Sequence, residues 1–322
     1  ILAIFVGRAL DKYSVKNFMM IGSMIYAVGL FSLSFINSFW SLITIYLTIL
    51  ALGSIMMGNL AVAKLISNWF DKNAGRALGI AAVGISFSGV VLPLIVDPLL
   101  DIVGWRNVYV IFASVVLFII LPLIFFVVID DPYTVNQVKD GMKRDLEEES
   151  LPKVMTSKNL LSKKVFWIIS LAFAFQFLSM MGVIAFLPIH ASKMGLDQTW
   201  NLIGFPVKQY VFAYALAAFG GVLGKLIFGY LIDIMKAAYP SMLAMSLQAT
   251  GIFGFTYFSE PSIFLLSALI FGLGYGAATP LMTACYLRAF GSNNLGKARG
   301  ISSPIVAPLQ PIGILITSIL IG

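Results

Sequence analysis

Runs of about twenty apolar residues follow one another along almost the whole of this sequence. That recurrence constrains the chain more than any single motif. A helix needs about 20 such residues to cross a ~30 Å hydrocarbon layer. Lipid offers no hydrogen bonds, so each crossing must satisfy its own backbone. Helical spans are therefore expected at roughly 1–11, 17–37, 40–67, 76–101, 106–129, 164–189, 208–232, 240–258, 261–287 and 297–322. Most breaks between them are short and carry turn chemistry, as at Asn37-Ser38 and Glu260-Pro261. One is long: residues 130–164 are polar and mixed in charge, with the acidic run Glu147–Glu149, and read as a solvated linker. Composition agrees, with 60% hydrophobic and 11% charged residues, against about 25% charged in a soluble domain.

The charges are sorted by side. All but Arg106, Lys193 and Lys208 of the 21 Lys and Arg residues fall in alternate breaks, near 8–16, 64–76, 139–164, 225–236 and 288–299. Excess Lys and Arg marks the cytoplasmic face, so the linker is expected to be cytoplasmic and the protein to lie in a plasma or inner membrane. The net charge of +7 is then a topology signal, and no nucleic-acid partner is implied. A single cysteine, Cys285, excludes an internal disulfide, and a single histidine, His190, argues against a metal or acid–base constellation. No enzyme activity and no cofactor are expected.

The chain also repeats itself. GRALD at 7–11 and GYLID at 229–233 share glycine and aspartate at an offset of 222; ALG at 51–53 matches GLG at 272–274, and AGRALG at 74–79 resembles LGKARG at 295–300, both at 221. Ordered matches at one offset imply two copies of one bundle, oriented alike across the membrane. The expected division is an N-terminal bundle at 1–129, a linker at 130–163 and a C-terminal bundle at 164–322. The same offset carries the span at 164–189 to before residue 1, and the span at 106–129 past residue 322. A complete molecule is expected to have six helices per half, with the first and last outside this sequence.

Gly7-Arg8-Ala9-Leu10-Asp11-Lys12-Tyr13-Ser14-Val15-Lys16 resembles the signature loop of the major facilitator superfamily. It keeps Gly7, Asp11, Lys12 and Lys16 and departs at Ser14 and Val15. Asn68-Trp69-Phe70, Gly75-Arg76-Ala77-Leu78-Gly79, Gly84, Gly89, Pro93 and Gly104-Trp105-Arg106 are similar in order to the monocarboxylate-carrier and oxalate:formate-antiporter branch. A basic residue frequent there is Ala74 in this chain. The resemblance implies an all-α polytopic membrane protein of two parallel-repeat bundles. It also implies a carrier that works by alternating access around a central cavity, active as a monomer. Gly7, Asp11, Lys12, Arg76, Gly229 and Asp233 would then belong to conformational gating. Asp11 is expected near the positive end of a helix starting around Leu295–Ala298; helix capping alone is the plainer alternative for Asp11 and Asp233.

Depth ranks the remaining charges. Lys225 lies eight residues before Asp233, ~12 Å along its helix. That is beyond easy snorkelling, and a charge near the midplane costs at least ~2.5–3.5 kcal/mol. Lys64 is four residues from Asn68, ~6 Å, and is expected to snorkel to the interface. Shifting Lys225 back by 222 gives Ala3, so the scaffold does not require a cation. Its two readings are a substrate or proton-coupling site and a structural pair with a neighbouring helix. The resembled branch places a basic residue here, opposite a carboxylate substrate. Asn59, Gln176, Tyr275, Thr279 and Gln310 complete the expected substrate set. Ser86 and Ser88 lie at similar depth, and Gln248, on an outer helix, does not fit the pattern. For all of these, interhelical hydrogen bonding is the plain alternative. Pro308 and Pro311 mark an expected helix break around Gln310. Asp97 and Asp101 share a helical face at the outer end, as solvated carboxylates or a proton entry point. His190 is read as a vestibule residue. FGGVLG (219–224) and FGLGYG (271–276) are read as close-packing surfaces rather than phosphate loops.

The expected function is secondary transport of a small organic anion, a monocarboxylate or dicarboxylate, with a coupled proton as an option. A carrier for a non-carboxylate solute is the near alternative, and a non-transporting receptor or channel the distant one.

Overall fold

The computed structural model describes residues 2–140, 154–196, 198–202, 205–258 and 260–321. The run Glu147–Glu149 and the side chain of Asp97 lie outside the described residues. The chain order is α1 (Leu2–Leu10), α2 (Val15–Leu33) and α3 (Phe39–Ile45), then a π segment at Tyr46–Leu50, α4 (Ala51–Met57) and α5 (Asn59–Trp69). Next come α6 (Ala74–Val115), a second π segment at Val116–Ile120, α7 (Leu121–Val127), a short 3-10 turn at Pro132–Val135 and α8 (Ser157–Leu161). After α9 (Lys164–Lys193) a small antiparallel hairpin pairs Thr199–Leu202 with Phe205–Lys208. The rest is α10 (Gln209–Ile234), α11 (Ala238–Tyr257), α12 (Pro261–Gly276), α13 (Ala278–Phe290), α14 (Ser292–Val306) and α15 (Leu309–Ile321).

Among the described residues seven stretches are long and apolar enough to cross a bilayer, among them Phe39–Trp69, Pro261–Phe290 and Ser292–Leu320. α11, at 20 residues, matches the span expected at 240–258. The break expected between 101 and 106 falls at Gly104, whose φ of 73° and ψ of 159° are not helical and divide α6 into two helices. Only a residue without a Cβ adopts that angle without strain. The last helix starts at Ser292, earlier than the expected 297, and breaks at Ala307-Pro308 before Gln310. The hairpin was not expected, since its eight residues lie between two spans and carry little alternation.

The chain divides into two compact units. The first comprises residues 1–72, 87–157 and 290–301; the second comprises 73–86, 158–289 and 302–322. In the first, α1, α2, α4 and α5 share a core of Val6, Leu10, Met19, Met56 and Ala61. A second cluster packs Ala27, Leu30 and Leu33 of α2 against Ala113 and Val116. The linker is not wholly solvated, which corrects the expectation for its ends. The Asp130 carboxylate accepts from the Lys16 backbone N–H at 2.6 Å, and Trp69 Nε1 donates to the Ile129 carbonyl at 2.8 Å. Lys139 is buried 3.9 Å from Asp71, and burial pushes its ammonium pKa downward against the pull of Asp71. Met155 N–H donates to Asn294 Oδ1 at 2.7 Å.

In the second unit the two glycine-rich runs face one another. A Cβ on Gly272 would run into the Ala217 carbonyl, one on Gly276 into Gly221, and one on Gly224 into Leu273. With hydrocarbon on the outside, van der Waals contact at such short backbone separations holds α10 to α12. Gly272→Ala is expected to lower the melting temperature of the detergent-solubilised protein by several degrees, since overpacking costs about 1–3 kcal/mol. Gly84→Ala, where a Cβ would meet nothing within 4 Å, should leave it unchanged or raise it; differential scanning fluorimetry of the pair checks this.

Candidate functional site

The clearest constellation in the first unit is built on Asp11, just past α1. Its Oδ1 accepts from the Gly296 N–H at 3.0 Å and its Oδ2 from the Lys297 N–H at 2.6 Å. Lys64 Nζ sits 3.0 Å from Oδ1 and also donates to the Ser292 carbonyl. Lys64 is only 5% exposed, so the expectation that it snorkels to the interface is corrected: a buried carboxylate holds it in place. Burial pushes the Asp11 carboxyl above its ordinary range, and the Lys64 ammonium and the two N–H groups pull against that push. The backbones come this close because Gly7 faces Gly296 and Gly300, where any Cβ would collide.

The second unit repeats the arrangement. Asp233 Oδ1 accepts from the Gly75 N–H at 2.7 Å and Oδ2 from the Arg76 N–H at 2.9 Å. Arg76 Nε lies 3.8 Å from Oδ2, and its guanidinium stacks 4.4 Å over the Tyr230 ring. Gly229 packs on Gly75 and Gly79. The correspondence holds to within one residue: Gly296 and Lys297 follow Gly75 and Arg76 by 221, and Asp233 follows Asp11 by 222. The two copies differ in their cations. The residue 221 after Lys64 is Cys285, so Arg76 supplies the positive charge in the second copy. Its own counterpart, Lys297, turns its ammonium to the Met155 carbonyl of the linker at 2.5 Å. Lys12 does not join its cap; it is exposed and lies over the Tyr13 ring at 5.3 Å.

Lys225 lies in α10 and is 5% exposed. Its ammonium donates to the Ser86 hydroxyl, within the same unit. No carboxylate among the described residues lies within ion-pair distance of it. The backbone identifies its counterpart: Gly79 faces the Lys225 carbonyl, and Gly300 faces the Ala3 carbonyl. The matched position in the first copy therefore carries only a methyl group.

The other expected substrate residues are distributed across both units. Gln176, Tyr275, Thr279 and Gln310 belong to the second, and Asn59 to the first. Gln176 is buried and its Nε2 donates to the Gly274 carbonyl at 3.3 Å. Tyr275 is half-buried, its ring 5.2 Å from that of Phe271. Thr279 and Gln310 are half-buried, and Asn59 is exposed at the first turn of α5. Gln248, which did not fit the expected pattern, proves to be Gln176's partner, donating to the Gln176 carbonyl at 3.0 Å and to Ser179 Oγ at 2.8 Å. His190 Nε2 meets the Phe255 carbonyl at 2.8 Å and borders an apolar cavity of about 340 Å³ lined also by Leu187, Ile252 and Leu320. Among the described residues no group of three or more His, Cys, Asp or Glu side chains gathers as a metal site would require.

The sequence pattern of the Major Facilitator Superfamily matches residues 1–309. An MFS-type transporter of Gibberella moniliformis is 24% identical over 298 residues, covering 92% of this chain and 66% of that protein. The Fujikurins efflux protein of Gibberella fujikuroi is 25% identical over 316 residues, covering 96% of this chain and 62% of that protein. The chain thus spans about two thirds or less of the length of these curated relatives. Its fold is similar to the crystal structure of the human organic anion transporter MFSD10 (TETRAN), with a TM-score of 0.69 at 13% identity over 98% of this chain and 73% of that one. From its paired aspartate caps to the pattern that spans all but its last residues, the chain belongs to the Major Facilitator Superfamily.

Proposed function

We propose that this chain forms most of a secondary carrier that moves a small organic anion across the membrane by alternating access, with the Lys225 ammonium as the anion's principal contact. The observation that carries the reading is a buried ammonium whose one hydrogen-bond partner among the described residues is the neutral Ser86 hydroxyl. An unpaired buried charge is costly, and its cost is offset when a counter-charge arrives. An anionic substrate supplies that charge. Ser86 accepts from Lys225 and keeps its own proton, so it can donate to a second oxygen of the same anion. An ammonium is a compact point donor without the bidentate fork of a guanidinium, which suits a small monocarboxylate or dicarboxylate. The similarity to the monocarboxylate-carrier branch supports that class, as does the name of the structurally similar organic anion transporter. A relative named as an efflux protein favours outward movement. The sorting of Lys and Arg supports a cytoplasmic linker between bundles at 1–129 and 164–322.

Gating rests on the two aspartate caps. The cap at Asp11 holds residues 290–301 in the first unit, and that at Asp233 holds 73–86 in the second. Each stabilises the conformation in which it is made, and breaking it removes that bias.

Counterflow of labelled monocarboxylates and dicarboxylates into liposomes carrying the full-length protein tests the carrier reading, because only a carrier shows trans-stimulation. Lys225→Ala is expected to cut anion exchange at least ~tenfold, the worth of one hydrogen bond to a charged group, and Lys225→Arg to retain part of it. Normal exchange in Lys225→Ala would end the assignment. Asp11→Asn and Asp233→Asn should each shift the conformational equilibrium by ~5–30-fold, a change of 1–2 kcal/mol. The labelling rate of a cysteine introduced at a site buried in one conformation reads that shift; rates identical to the parent protein would count against the caps as gates.

A further inference from the structure

A second polar cluster in the same unit has more acceptors than donors. Gln248 Nε2 has both hydrogens engaged, on the Gln176 carbonyl and on Ser179 Oγ, while Ser179 gives its own proton to the Gln176 carbonyl at 3.0 Å. Gln176 Nε2 is turned to the Gly274 carbonyl. In this arrangement each amide turns its nitrogen toward the oxygens it bonds and its own oxygen away from them. Both amide oxygens are left buried, with no group among the described residues donating to them. The two residues are 5% and 2% exposed.

Three features say what such a cluster binds. Its unfilled positions are all neutral oxygens, the donor set that takes hard monovalent cations. Gly274 lies just before the bend at Ala277 in the helical run Pro261–Phe290, and its carbonyl accepts from Gln176. Pro280, four residues after Gly276, has no N–H to give the Gly276 carbonyl, which frees one more oxygen at that bend. The scaffold does not call for a glutamine either. Gly274 abuts the Gln248 backbone, and Gly53, 221 residues earlier, abuts the Tyr26 backbone, so the matched position in the first unit is an aromatic ring.

We infer that Gln176, Gln248, Ser179 and the carbonyl end of α12 form a binding site for an alkali-metal cation. The inference does not rest on the Lys225 assignment, and its test contains no organic anion. The full-length protein in detergent is melted in sodium, potassium and choline chloride at equal ionic strength. A melting temperature that rises and saturates with sodium or potassium, but not with choline, is the expected result. Gln248→Leu should abolish the cation-dependent rise. Gln248→Glu, which adds a charge at nearly the same volume, should lower the half-saturating cation concentration about tenfold or more, and it serves as the test should Gln248→Leu fail to fold. A melting temperature that follows ionic strength alone means that water fills the cluster, and overturns the site. So does a full cation-dependent rise in Gln248→Leu, or a half-saturation point unmoved in Gln248→Glu.

Discussion

A carboxylate accepting two consecutive backbone N–H groups near the start of a helix more than a hundred residues away is the interaction on which this architecture turns. It occurs twice, at Asp11 with Gly296 and Lys297 and at Asp233 with Gly75 and Arg76. Each cap depends on glycines that let two backbones meet, Gly7 on Gly296 and Gly229 on Gly75. Each also moves a short stretch out of its own sequence half: residues 290–301 cluster with 1–72, and 73–86 with 158–289. Desolvation raises the Asp11 carboxyl despite three favourable partners.

Most of the architecture is legible in the sequence because lipid imposes it. Ten apolar runs, short breaks and sorted charge leave helices as the solution, and the offset of 221 reports the duplication from a handful of glycines and aspartates. Even the facing of FGGVLG on FGLGYG follows from the rule that small residues mark helix seams. What the pattern does not carry is local backbone detail. The π segments at Tyr46–Leu50 and Val116–Ile120 lie in uniformly apolar helix and leave no compositional trace. The hairpin at 199–208 is too short for alternation to show.

The site is less legible, and for a specific reason. Depth along a helix can be counted from sequence, but the direction of a side chain around it cannot when every face is apolar. Lys225 stands out in the sequence because eight residues separate it from the loop and its counterpart is Ala3, and the structure buries it. Lys64, only four residues from its loop, satisfied the snorkelling rule and yet is buried on Asp11. A signal did exist, since Asp11 placed against a helix end still needs a counter-charge and the offset gives Lys64 no cationic twin. Gln248 was set aside because its helix lies outside the expected cavity, and the structure shows it bonded to Gln176. At the position that matches Gln248 the first copy carries Tyr26.

The duplication therefore separates scaffold from chemistry. Where both copies agree, as in the aspartate caps, the glycines beneath them and the Gly53 and Gly274 contacts, the residue serves packing that the two copies share. Where they disagree, a cost has been accepted that the scaffold never required. Lys225 against Ala3 and Gln248 against Tyr26 place polarity in the second unit where the first has an apolar or aromatic group. Buried polarity in a membrane protein is expensive enough to need a reason, and a reason found on one side of a pseudo-symmetric molecule cannot be structural support common to both. The asymmetry gathers that polarity in the second unit, while the aspartate caps are common to both copies.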